Sequence, residues 1–207
     1  MARVFILSPA RSDGVRASYL FNPKTSIAMG LEMQAQIKQP IGKVFTYLSG
    51  LYFRGKVAYA ERFALAASET AIGAWVITSN QGLLPLHAPI GLDDLSSFSR
   101  TPIALGEPRY EEPLRRDLAR LISGDNSSAE YILLGSVSTD KYTEAMVSIL
   151  GERVLFPVEF LGRGDMSRGA LMLRHSKTGE ELAYAPLTSI KKKGKKVAKR
   201  VSAARRR

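Results

Sequence analysis

The chain has 207 residues, no cysteine and two histidines, and it carries 30 Lys+Arg against 19 Asp+Glu. That length suits one domain able to bury roughly 70% of the surface its unfolded chain exposes, without a disulfide or metal staple. The composition excludes disulfides, Cys-ligated zinc, iron–sulfur clusters and thiol catalysis; His87 and His175 are too few for a His-rich metal centre, and no cofactor is expected.

Val4 to Leu7, in RVFILSPA, is a short apolar run closed by Ser-Pro, and it reads as a buried first strand opening into a loop. Residues 9–26 contain Pro9, Gly14, Asn22, Pro23 and two arginines, Arg11 and Arg16, and read as a loop rich in polar donors. Ile27 to Ile37 suits a short helix ended by Pro40. From Gly55 onward Val57, Ala60, Phe63, Ala64 and Ala67 recur at helical spacing, which predicts an amphipathic helix. AWVITS (74–79) is the second buried strand, followed by NQGLLPLHAPIGLDD, a loop dense in turn residues.

Residues 109–123 form another amphipathic helix with Leu114, Leu118, Leu121 and Ile122 inward. YILLGS (131–136) is the third buried strand, and TDKYTEAMVSILG is a helix with Thr139 or Asp140 as N-cap. RVLFPVEF (153–160) is a fourth strand, which Pro157 makes an edge or bulged one. The Gly/Arg-rich LGRGDMSRG leads into ALMLRH, and LAYAPL (182–187) suits a final short strand.

The last segment, 191–207, carries ten cations and no acid: Lys191, Lys192, Lys193, Lys195, Lys196, Lys199, Arg200, Arg205, Arg206 and Arg207. The body before it is nearly neutral, with 20 basic and 19 acidic residues. A like-charged block of this kind is expected to be disordered when free and to seek polyanions, DNA above all. No stretch approaches the roughly 20 apolar residues of a membrane span, and MARVFILSPARSDG is a poor signal peptide. The expectation is a soluble cytoplasmic protein, nucleoid-associated if the tail binds DNA, with no membrane partner.

Continuous apolar strands alternating with amphipathic helices imply a three-layer α/β fold. Its mostly parallel sheet would have four to five strands, in a single domain over 1–190 followed by the tail. In such sheets ligands bind outside the C-terminal strand ends. Polar or Gly-containing segments follow the first four strands: Ser8-Pro9-Ala10-Arg11, Thr78 to Gly82, Gly135-Ser136, and Gly162-Arg163-Gly164-Asp165. They are expected to converge on one edge.

The chemistry of these segments is less pronounced. Glycines at 162 and 164, with Arg163 and Arg168 nearby, suit an anion site, although GxxxxGK[ST] and GxGxxG are absent. SGLYFRGK (49–56) mixes aromatic rings with cations, as base-stacking sites do. There Tyr52 and Arg54 are the functional candidates, while Phe53 suits a core anchor; a bland reading leaves Arg54 and Lys56 solvated. Asp93 and Asp165 suit helix starts better than acid–base work, and no nucleophile elbow GxSxG occurs.

VFILSPAR, LYFRGKVAYAERF, WVITSNQGLLPLHAPI, ILLGSVSTDKY and GRGDMSRG, taken in order, resemble a group of bacterial α/β domains related to the YaaA peroxide-stress proteins. That group is more remotely similar to the uracil-DNA-glycosylase fold. The resemblance spans most of residues 3–173 and implies an α/β domain associated with DNA or with nucleoside-like groups. It carries over Ser8, Pro9, Tyr52, Arg54, Ser79, Gly82 and Gly164 as site-lining positions. It implies no catalytic residue, because the GxDPYP-like and HPSP-like segments of glycosylases are absent.

The expected function is therefore a nucleic-acid-associated, DNA-binding protein with a cleft for a nucleotide or phosphate. Arg11, Arg16, Arg54 and Arg163 would line it together with Ser8, Tyr52, Ser79, Gly162, Gly164 and Asp165. The alternative is a hydrolase of a nucleoside or nucleotide glycosidic bond.

Overall fold

The computed structural model describes residues 2–66, 71–123 and 129–189. The polybasic segment lies outside them, and with it the expectation of a disordered tail. The strands are β1 (Arg3–Leu7), β2 (Gln39–Pro40), β3 (Ala74–Ile77), β4 (Leu83–Pro85), β5 (Pro89–Ile90), β6 (Glu130–Leu134), β7 (Val154–Pro157) and β8 (Tyr184–Pro186). The helices are α1 (Val15–Phe21), α2 (Ala28–Gln34), α3 (Ile41–Ser49), α4 (Leu51–Phe63), α5 (Leu92–Arg100), α6 (Pro108–Ser123), α7 (Asp140–Leu150) and α8 (Asp165–Thr178).

The central sheet has the order β4-β3-β1-β6-β7-β8, while β2 and β5 pair separately. Strands β3, β1, β6 and β7 are parallel, and antiparallel β4 and β8 close the two edges. The α/β class and mostly parallel sheet agree with the sequence expectation. The strand expected within 182–187 is β8. The count exceeds four to five because β4 is a three-residue strand, in a stretch read as a loop, whose pairing carries little sequence signal.

The apolar runs fill both faces of the sheet. Phe5 meets Tyr59 of α4 edge-on at 5.7 Å. Tyr131, next to the residue that pairs with Phe5, points to the opposite face, where its hydroxyl donates to the Leu121 carbonyl of α6. One layer thus holds α3, α4 and α8, which pack in sequence on one another, and the other holds α6 and α7. The Tyr59 hydroxyl also accepts the Leu182 N–H at 2.8 Å and pairs with the Tyr184 hydroxyl at 2.6 Å, tying β8 to α4.

Several local expectations are corrected. The stretch 9–26 is not all loop, because Ala17 and Leu20 bury one side of a two-turn helix, α1. The helix expected from Gly55 starts at Leu51, and its buried stripe is Tyr52, Phe53, Gly55, Lys56, Tyr59, Ala60 and Phe63, rotated away from half-buried Val57. Strand β7 is internal despite Pro157, which ends it; the next ladder bond is donated by Val158 to Ala183, so the missing N–H costs nothing. The loop 80–94 contains β4 and β5. Among the described residues no helix is long and apolar enough to cross a membrane.

Candidate functional site

Chain order and sheet order reverse between β1 and β6, since the chain runs from β1 to β3 on one side and then to β6 on the other. That switch point opens a crevice at the C-terminal strand ends, the usual ligand position in such sheets. Ser8 follows β1 there, and Gly135 follows β6 so closely that a Cβ on it would lie 3.0 Å from Ser8 Oγ. A cavity of about 400 Å³ occupies the crevice, lined by Ser8, Arg11, Tyr52, Ser136, Ser138, Lys141, Tyr142 and Asp165 among others. A second, of about 310 Å³, adjoins it across Pro9, Ala10 and Arg11 and reaches Ser79 beyond β3.

Helix direction explains which side chains arrive. A helix that returns antiparallel to the strands starts at their C-terminal edge. Helix α4 therefore delivers Tyr52 and Lys56 near Ser8, while the residue pairing just beyond its end, Leu65, meets Arg3 at the start of β1. Helices α7 and α8 likewise begin here: Ser138, Thr139 and Lys141 at one, Asp165 at the other, all line the cavity. Neither helix has a side-chain cap at Thr139 or Gly164, although each carries an acid in its first turn, Asp140 and Asp165, against its positive dipole end.

One buried polar contact of the crevice is made by a residue that the sequence reading left solvated. Lys56 is 1% exposed, and its Nζ donates to the Ser8 carbonyl at 2.8 Å and lies 2.7 Å from Ser8 Oγ. The Tyr52 ring sits 4.1 Å from Nζ and the Phe53 ring 5.3 Å. Burial pushes the amine from 10.5 down to about 7, with Asp165 pulling it upward and Arg168 opposing. The helical spacing could have found it, because Lys56 lies four residues after Tyr52 and three before Tyr59, in the middle of the buried stripe.

Tyr52 itself is 8% exposed, and its buried hydroxyl makes no hydrogen bond of ordinary geometry. Burial pushes its pKa up, against the nearby Arg168 guanidinium. Burial also raises the Tyr142 phenol across the cavity. Arg11 forms a two-pronged pair with Asp13, both bonds 3.0 Å, on an exposed rim.

Of the residues singled out in the sequence, Ser8, Pro9, Arg11, Tyr52, Ser79 and Asp165 gather around the two adjoining cavities. Others do not. Arg16 donates to the Tyr47 carbonyl at 3.0 Å, and Arg54 is exposed outside both cavities. Gly82 packs against α6, beneath Pro113 and Asp117. Gly162 and Arg168 line a larger groove of about 850 Å³ beside α7. Arg163 lines neither cavity and turns two donors to its own turn, to the Glu159 carbonyl at 2.8 Å and to Ser167 Oγ at 3.1 Å. Gly164 is the N-cap residue, so Asp165 is the first helical residue rather than the cap. Its carboxylate lies 3.7 Å from Arg168, favoured by the helix dipole.

No protein family, curated protein or solved structure matches this chain.

Proposed function

We propose that this is a nucleic-acid-associated protein that holds a phosphate-bearing, nucleotide-like ligand in the crevice beside β1 and β6. One observation carries the reading: Arg11, Lys141 and the uncapped starts of α7 and α8 open on a single cavity at the strand C-termini. Cations and helix N-termini together favour an anion there. Tyr52 and Tyr142 add aromatic surface to the cavity wall against which a base would pack. The ten cations of 191–207 would add sequence-independent attraction to DNA phosphates.

Titration of the full-length protein with ADP and with a short duplex tests both halves. Arg11→Ala combined with Lys141→Ala should abolish ADP binding at micromolar protein. Replacing the ten tail cations with Gln should remove the salt-dependent duplex affinity and leave ADP binding intact. Undiminished ADP binding in the double variant would refute the cleft assignment.

A hydrolase of a nucleoside or nucleotide glycosidic bond is the second reading. It is favoured by Asp165, which opens on the same cavity as Ser8 and Arg11. Its test is release of free base from nucleosides and nucleotides by the parent protein and not by Asp165→Asn.

A further inference from the structure

We propose that Ser8 is a nucleophile and Lys56 its general base, and that the crevice hydrolyses an ester or amide bond of an anionic substrate through an acyl-Ser8 intermediate. The inference rests on the reading of the crevice as an anion site, and it adds the chemistry done there.

Three observations converge on the pair. Ser8 lies one residue past β1 at the switch point and lines the cavity, while Lys56 reaches it from beneath. The amine is fully enclosed, and among the described residues no carboxylate lies within ion-pair distance of it. A neutral donor would serve the Ser8 carbonyl at lower cost, since burying an unpaired charge is expensive. The amine avoids that cost when it is neutral, and a neutral amine can accept a proton. In that state it gives one N–H to the Ser8 carbonyl and takes the hydroxyl hydrogen on its lone pair, which uses both observed contacts. Gly135 leaves room for the hydroxyl on the other side, because any Cβ there would press on it.

The steps balance without any added reagent but water. As Ser8 Oγ bonds to the substrate carbonyl carbon, its proton passes to Lys56 Nζ. Collapse breaks the bond from that carbon to the leaving alcohol or amine, which takes the proton from Lys56. Water then adds to the acyl carbon and gives a proton to Lys56. Cleavage of the carbon–Oγ bond releases the acid, and Ser8 recovers its proton. Arg11 and Lys141 would hold the anionic part of the substrate at the rim. Ser–Lys pairs perform this role on unrelated folds.

The groups that face Lys56 set its titration: Ser8 from β1, Tyr52 and Phe53 from its own helix, and Asp165 and Arg168 from α8. Tyr142 of α7 lies next to Tyr52 and Asp165.

The test treats full-length protein with a fluorophosphonate probe, locates the adduct by peptide mass spectrometry, and follows p-nitrophenyl hemisuccinate turnover. The expected result is an adduct on Ser8, absent from Ser8→Ala. Turnover should fall about 10²–10⁴-fold in Lys56→Met. The labelling rate of the parent should rise with pH through an inflection near 7. An adduct elsewhere, or equal labelling of Ser8→Ala, overturns the proposal. Should Lys56→Met fail to fold, the parent's profile decides alone, and a rate that climbs with hydroxide without an inflection overturns it. ADP titration is run in parallel. ADP binding without labelling rejects the Ser–Lys pair and keeps the anion site, whereas labelling without ADP binding keeps the pair and rejects the anion site.

Discussion

Gly55 and Gly169 face each other across the crossing of α4 and α8, where a Cβ on Gly55 would come within 2.6 Å of the Gly169 carbonyl oxygen. A Cβ on Gly169 would in turn lie 2.7 Å from the Leu51 carbonyl oxygen and 2.8 Å from Tyr52 Cα. The two helices therefore touch backbone to backbone. That close approach sets Asp165 and Arg168 near Tyr52 and Lys56, so the crossing also builds one wall of the crevice.

Gly55→Ala or Gly169→Ala should accordingly force the helices apart. Overpacking of this kind costs about 1–3 kcal/mol or more, and rigid backbone on both sides argues for the upper end. A urea titration should show a lower midpoint with an unchanged slope, and the loss of ADP affinity should exceed what partial unfolding explains. An unaltered midpoint would mean that the crossing yields easily.

Lys56 should make stability depend on pH in a definite direction. Its folded-state pKa, about 7, lies below the value of 10.5 for the free side chain. Between those values the unfolded chain binds more protons than the folded one, so stability rises with pH across that window. The slope approaches about 1.4 kcal/mol per pH unit where the two states differ by one full proton. Urea midpoints of the parent should climb from pH 7 to pH 9.5 relative to those of Lys56→Met, which lacks the group. A constant difference between the two proteins over that range would show that the amine is charged in the fold.

Tyr52→Phe should leave the ligand-free protein as stable as the parent or slightly more so. The hydroxyl it removes is buried without a properly formed hydrogen bond, and such a group costs about 1–3 kcal/mol. If a ligand supplies the missing partner, the same variant should bind ADP more weakly. Thermal melts with and without ADP separate the two effects.

Arg163→Ala should change ADP affinity by less than about twofold, because Arg163 lines neither cavity, whereas loss of a charge-assisted ligand contact such as one from Arg11, which lines both, costs about tenfold or more. Calorimetric titration of the two variants compares them directly, and a large loss in Arg163→Ala would move the anion site toward α8.

Gly82→Ala tests a different kind of glycine. Its φ of +69° is strained for a side chain, and a Cβ would lie 2.5 Å from the Pro113 carbonyl oxygen. It should destabilise the β3–β4 turn by about 1–3 kcal/mol without touching the crevice.

The amino-acid sequence by itself determined the layers and the sheet edge at which the crevice lies. Runs such as Phe5-Ile6-Leu7 and Tyr131 to Leu134 are apolar throughout because both faces of a parallel sheet are covered, and that periodicity needs no partner to be read. Ser8, Arg11, Ser79 and Asp165 could be placed near one edge for the same topological reason. What only the tertiary structure decided was which neighbours meet there. Lys56 looks like a solvated cation until the crossing with α8 turns its side of α4 inward, and Arg163 looks like an anion ligand until the fold leaves it outside both cavities, bonded to its own turn. Gly82 reads as part of a site until α6 lies against it. Hydrophobic periodicity is a one-dimensional property of the chain. The environment of a buried amine is set by residues 48 and more than 100 positions away, Ser8 and Asp165, which only folding brings to it.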